Sequence, residues 1–163
     1  FDTYQKDADK IRRGNMMARA RMCTLYDLAA KEHALVLGTS NKTELYLGYV
    51  TQFGDAACAF EPLGHLYKTE VWKLAEMMGV PENIVKKIPT ADLWEDQTDE
   101  EELGLSYNDA DEILYALYEK TLPHEELLSR GFTEEQILHI VSIVERNRFK
   151  QSIPPNPETY TTS

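Results

Sequence analysis

Apolar residues fall along this chain at two spacings, and the changes between them mark out its elements. Over 7–32 they recur at Ala18, Met22, Leu25, Tyr26 and Ala29, the rhythm of one helix face. At 34–38 that rhythm gives way to a continuous run, Ala34-Leu-Val-Leu-Gly38, too short for a buried helix and suited to a buried parallel strand. A helical pattern resumes over 43–50. A smaller-sided run, Ala56-Ala-Cys-Ala-Phe60, stopped by Pro62 and Gly64, predicts a second buried strand. Val71, Leu74, Ala75 and Met78 then mark a helix over 67–78, with Gly79 closing it and Pro81 beyond.

From 89 to 107 periodicity is lost. Asp92, Glu95, Asp96 and 99–102, all acidic, surround Trp94, which reads as a lid or ligand-ordered loop or, equally, as a plain solvated turn. Their spacing is not that of a calcium loop. The remainder is helical: Ala110, Ile113, Leu114 and Leu117 share a face over 109–120, and a short helix from Pro123 ends at Gly131. Thr133 then caps a longer helix with Gln136 at its third position, Phe132 stapled to Ile137, and Ile137, Ile140, Val141 and Val144 facing inward. A polar tail follows from Ile153.

Strand, helix, strand, helix implies right-handed crossovers and a parallel sheet, so the predicted class is α/β. In such sheets ligands sit beyond the carboxyl ends of the strands, here 39–44 and 62–68. The first of these opens a helix whose unpaired amides would favour phosphate, with Thr39 and Ser40 adding hydroxyls and Glu44 a carboxylate. Asn41 with Glu44 is also an ordinary capping box, and both readings stand on the residues alone. Lys68 heads a helix against its dipole, a placement that an anion would compensate and that a simple surface lysine also fits.

A formal net charge of −11 argues against a broad nucleic-acid surface. Arg12, Arg13, Arg19 and Arg21 form a basic cluster inside this acidic chain, suited to an anionic ligand or an acidic neighbour, or to a solvated face. No apolar run is long enough to span a bilayer, and no leader pattern precedes the first helix, so a cytoplasmic protein without membrane contact is expected. Cys23 and Cys58 lack metal or redox spacing and read as reduced core thiols, and the four histidines lack partners at zinc spacing.

Seven blocks in order then resemble the ammonia-dependent NAD synthetases: Gly14-Asn-Met-Met-Ala-Arg-Ala-Arg-Met22, Leu37-Gly-Thr-Ser-Asn-Lys-Thr-Glu44, Gly48-Tyr49, Phe53-Gly-Asp55, Pro62-Leu-Gly-His-Leu-Tyr-Lys-Thr69, Pro89-Thr-Ala-Asp-Leu93 and Gln97-Thr-Asp-Glu-Glu-Glu-Leu-Gly104. The resemblance implies a three-layer α/β/α parallel sheet of the adenine nucleotide alpha hydrolase type, here lacking its N-terminal strands and followed by a helical region. On that reading the chain is the C-terminal part of one synthetase domain, with an α/β half over 1–104, helices over 105–153 and a tail over 154–163. It further implies a homodimeric ligase in NAD biosynthesis that uses ATP, Mg²⁺ and ammonia to amidate deamido-NAD through an acyl-adenylate, releasing AMP and pyrophosphate. By the same resemblance Thr39, Lys68 and Thr90 would contact ATP, Glu44 would ligate Mg²⁺, and Arg19, Asn15, Asp55 and Lys150 would surround deamido-NAD. Gln52 joins that last group where many members have lysine, and Ala56, Ala57 and Ala59 also depart from the pattern.

The S-G-G-x-D-S pyrophosphate loop of the superfamily is absent from the sequence. It is expected to lie before Phe1 together with the family's other Mg²⁺ ligand, and without it these residues alone are expected to be inactive. Two rival readings carry over: another ATP pyrophosphatase, GMP synthetase-like or tRNA-modifying, and a non-catalytic dimerisation or binding module.

Overall fold

The computed structural model describes residues 8–90 and 98–152. Eight α-helices run through them in order: α1 (Lys10–Lys31), α2 (Lys42–Leu47), α3 (Lys68–Met77), α4 (Glu82–Val85), α5 (Asp99–Leu103), α6 (Tyr107–Leu114), α7 (His124–Ser129) and α8 (Glu134–Asn147). A π-turn over Tyr115–Glu119 extends α6, and a 3₁₀ turn over Arg148–Gln151 extends α8. No described helix is long and apolar enough to cross a membrane.

The expected three-layer parallel sheet is not formed among the described residues. Among the described residues the two apolar runs meet only in one isolated parallel bridge, Leu37 against Phe60. Two amides make it, Gly38 N donating to Phe60 O at 2.8 Å and Ala59 N to Val36 O at 2.9 Å. The second run fails as a strand because 52–56 curl into turns, with Ala56 N and Ala57 N donating back to Thr51 and Gly54 carbonyls. Nor is the first run buried: Leu35 is 77% and Leu37 59% exposed. Apolar runs report a tendency to be buried, whereas a sheet also needs a ladder of long-range partners.

The core lies instead among the later helices and α2. Ala110, Ile113 and Leu114 of α6, Leu127 of α7 and Ile137 and Ile140 of α8 are fully buried, and Leu47 of α2 joins them. Each leucine or isoleucine among them contributes roughly 1.5–3 kcal/mol on burial. Capping explains where these helices start. Thr133 Oγ1 accepts from Gln136 N at 3.2 Å while Gln136 Oε1 accepts from Thr133 N at 2.9 Å, and Ser106 Oγ accepts from Asp109 N at 3.2 Å. The inward face of α8 includes Ile143 as well, with Val141 only partly covered.

α1 behaves differently. It is long and regular, begun by Asp9 accepting from Arg12 N at 2.8 Å, yet only Gly14 and Ala18 are buried along it. Leu25 and Tyr26, expected to face a core, are 51% and 40% exposed, and Cys23 is exposed too. Within the acidic stretch expected as a loop, Thr98 caps α5 and Gly104 ends it at φ 74°. Trp94, with Asp92, Glu95 and Asp96, and the tail from Ile153 lie outside the described residues.

The end of α8 fixes the end of α2. A helix leaves its last carbonyls without internal partners. Here Asn147 Nδ2 donates to Leu47 O at 2.9 Å, Gln151 Nε2 to Tyr46 O at 2.8 Å, and Lys150 Nζ to Gly48 O at 2.7 Å and Val50 O at 3.1 Å. Gly48 closes α2 at φ 62°, and a Cβ there would stand 2.3 Å from Asn147 Cβ. The short helix that carries Glu44 is thus held from residues a hundred positions away in sequence.

Candidate active site

Between α1, the bridge loop and the head of α3 lies a cavity of about 780 Å³. Its wall brings together Thr39, Glu44, Lys68 and Thr90 with Asn15, Asp55 and Lys150. Two expected residues stand outside that wall, Arg19 and Gln52, which meet each other through Arg19 Nε donating to Gln52 O at 3.3 Å.

The centre of the site is an ion pair. Lys68 Nζ lies 3.0 Å from Glu44 Oε1, both side chains are 17% exposed, and the ammonium sits 5.2 Å from the centre of the Tyr107 ring. Such a half-buried pair resists solvent screening better than a surface one. Glu44 serves two ends at once, because its Oε2 accepts from Asn41 N at 3.2 Å while Glu44 N donates to Asn41 Oδ1 at 3.1 Å. The capping box and the cavity-facing carboxylate are therefore one side chain.

Helix amides contribute less than expected. Lys42 N donates to Leu66 O at 2.8 Å and Glu44 N is held by Asn41, so these α2 amides are already taken. At the head of α3, Tyr67 N donates to Glu70 Oε2 at 2.8 Å, Lys68 N to Thr43 Oγ1 at 2.9 Å and Thr69 N to Asp111 Oδ2 at 2.9 Å. Side chains on the wall that can meet an anion are the cations Arg21, Lys68, Lys87 and Lys150 and the hydroxyls of Thr39, Ser40 and Thr90.

Acidic and phenolic groups also stand near the pair, Tyr49, Asp99 and Glu102 on the cavity wall and the buried Tyr107 against Lys68. Tyr107 Oη donates to Asp99 Oδ2 at 2.9 Å and Tyr49 Oη to Glu102 Oε2 at 2.6 Å. Burial, reinforced by these carboxylates, pushes both phenols far above their ordinary titration range, so they stay neutral donors. At the α1 end, Thr51 ties two expected residues together: its hydroxyl donates to Asn15 Oδ1 at 2.7 Å and its amide to Asp55 Oδ1 at 2.9 Å. Burial lowers the Lys150 pKa while Asp55 opposes the shift.

Sequence reasoning missed Tyr49, Asp99 and Trp72 as individual wall residues, and it weighed Arg21 only as part of the basic cluster. Arg21 carried a local signal, four arginines within ten residues, and Tyr49 and Asp99 stood inside blocks of the family resemblance without a role of their own. Trp72 becomes a neighbour through packing alone.

Among the described residues no three His, Cys, Asp or Glu side chains group as a metal site. A magnesium ion on a nucleotide asks for less, since one or two carboxylate oxygens suffice when waters and phosphates complete an octahedron. Glu44 supplies one such carboxylate on the cavity wall, and an ion there would share it with the Lys68 ammonium, 3.0 Å from Oε1.

The family model described as NAD synthase matches residues 1–154. The chain belongs to that family. It is 51% identical over 157 residues to the NH(3)-dependent NAD(+) synthetase of Fusobacterium nucleatum, covering 94% of this chain and 61% of that protein. The Methanocaldococcus jannaschii protein of the same name is 49% identical over 154 residues, 94% of this chain and 59% of its own length. Among solved structures it is similar to the NMN synthetase from Francisella tularensis, with a TM-score of 0.81, 33% identity, and 95% of this chain against 60% of that one. It is also similar to the NH3-dependent NAD synthetase from Campylobacter jejuni in complex with nitrate, at TM-score 0.74, 37% identity and the same shares. This NAD synthase chain thus spans about three-fifths of the length of the relatives it matches.

Proposed function

We propose that these residues supply part of the active site of an ammonia-dependent NAD synthetase. The reaction converts the nicotinate carboxylate of deamido-NAD to its amide. A carboxylate oxygen attacks the ATP α-phosphorus and pyrophosphate leaves. Ammonia nitrogen then bonds to the acyl carbon, AMP departs with the carboxylate oxygen, and the nitrogen loses a proton. The observation that carries this reading is the Lys68–Glu44 pair, 3.0 Å apart in the cavity that also holds Thr39 and Thr90.

Charge accumulates on phosphate oxygens in the adenylating step, so a fixed ammonium and hydroxyls aimed at them stabilise the transition state. Lys68 supplies that ammonium, held in place by Glu44, and Thr39 and Thr90 supply the hydroxyls. Glu44 would hold Mg²⁺ through the same carboxylate that pairs with Lys68; when bound, the ion neutralises phosphate charge. Asn15, Asp55 and Lys150 line the end of the cavity assigned to the dinucleotide. Arg19 and Gln52, outside the wall, are assigned to substrate reaching past one protomer of a homodimer.

The test uses the full-length protein with Mg-ATP, ammonium and deamido-NAD, and follows NAD, AMP and pyrophosphate. Equal yields of all three are expected, with Lys68→Met lowering kcat about 10²-fold. Release of ADP in place of AMP, or turnover unaffected by Lys68→Met, would refute the assignment. Running the nicotinate mononucleotide in parallel decides between the two synthetase classes seen among the relatives. A broader reading as another ATP pyrophosphatase is favoured by Gln52, Ala56, Ala57 and Ala59, and amidation of a different acid but not of deamido-NAD would select it. The 163-residue chain alone is expected to give no turnover in the same assay.

A further inference from the structure

Asp111 forms no part of the cavity wall, yet its carboxylate reaches the first turns of both helices that carry the ion pair. It is 6% exposed on α6. Oδ1 accepts from the hydroxyl of Thr43, itself fully buried on α2, and Oδ2 accepts from Thr69 N at 2.9 Å on α3. Thr43 Oγ1 in turn accepts from Lys68 N at 2.9 Å. One carboxylate and one hydroxyl therefore take two of the α3 amides that the helix cannot satisfy internally.

The chain positions give this arrangement its consequence. Thr43 immediately precedes Glu44, and Thr69 immediately follows Lys68. Fixing Thr43 against Lys68 N and Thr69 N fixes the backbone origins of the two side chains that meet at 3.0 Å in the cavity. The constraint is also directional. Thr43 Oγ1 donates its only proton to Asp111, leaving a lone pair for Lys68 N, so an acceptor-only partner at position 111 sets the direction of the whole chain of bonds. Were Asp111 only an α3 cap, the Thr69 amide would suffice as its partner. The second oxygen, spent on α2, links the two helices.

Resting on the synthetase reading above, we propose that Asp111 is a positioning residue for nucleotide chemistry, setting the distance between Glu44 and Lys68 through Thr43 and the head of α3. Asparagine at this position keeps the shape but turns one acceptor into a donor, so either the Thr43 hydroxyl proton or the Thr69 amide loses its acceptor. A misplacement of catalytic groups by about 1 Å can cost as much as 10²-fold in rate.

The experiment uses the full-length protein. Asp111→Asn is expected to raise KM for Mg-ATP and the calorimetric Kd for ATP alone by about tenfold or more, while KM for the acid substrate stays within about twofold. Thr43→Val should reproduce that split, and Thr43→Ser, which restores the hydroxyl, should return both constants to wild-type values. A purely architectural role would lower Tm in these variants and leave the ATP constants in place, and that result overturns the proposal. If Asp111→Asn does not fold, the Thr43→Val and Thr43→Ser pair decides: equal ATP constants in the two overturn it. Wild-type protein that binds ATP but makes no NAD refutes the synthetase reading while leaving the ATP comparison to judge Asp111.

Discussion

Lys150 shows how a single side chain can lock two elements together at the expense of its own charge. Its ammonium donates to the Gly48 and Val50 carbonyls at the end of α2, and burial holds its pKa below the ordinary 10.5 despite the pull of Asp55. The sign of the consequence follows from proton binding. Between the folded pKa and 10.5 the unfolded chain carries more protons than the folded one, so stability rises with pH across that window. Denaturation midpoints measured from neutral pH upward should therefore climb in the wild type relative to Lys150→Met as pH approaches 10.5. Parallel curves would show that the lysine titrates alike in both states. Glu44 and Lys68 were legible in the sequence because each sits in a block of recognisable order. Asp111 was not, since its partners lie 68 and 42 residues away and no periodicity marks a polar residue inside an apolar helix face.

Helices whose signals are local were the easiest elements to read. Thr133, Gln136 and the spacing of Ile137, Ile140 and Val144 announced α8, and the structure places each as expected. Two measurements separate the contributions to this element. Thr133→Ala removes the acceptor for Gln136 N and should cost about 1 kcal/mol, whereas Ile140→Ala opens a cavity at a fully buried position and should cost roughly 2–5 kcal/mol. Urea denaturation that ranks them in the reverse order would mean that α8 is held by its end and not by its packing. α5 was missed although Thr98 and Gly104 flank it as cap and stop, because a run of acids reads as solvated loop. The predicted sheet failed for the opposite reason. Its two runs are apolar enough, but hydropathy says nothing about which backbone supplies the ladder, and among the described residues only Leu37 and Phe60 pair.

Two opposing forces act on the molecule as a whole. Around the single bridge Leu35, Leu37 and Phe60 are 77%, 59% and 58% exposed, and along α1 Ile11, Leu25 and Leu28 are 61%, 51% and 45% exposed. Neighbouring apolar side chains of this size on a surface favour burial against another molecule. A net charge of −11 opposes that contact. The balance is set by salt, because repulsion between exposed charges fades as the screening length shrinks from about 30 Å at 0.01 M to about 8 Å at 0.15 M while hydrophobic attraction persists. The 163-residue chain should accordingly sediment as a smaller species at low ionic strength and associate as salt and concentration rise. Leu35→Glu and Leu25→Glu should each weaken that association, since each places a charge where apolar area would be buried. A sedimentation coefficient independent of salt, concentration and both substitutions would show that these exposed side chains exert no net attraction, and that the charge governs the surface of the molecule.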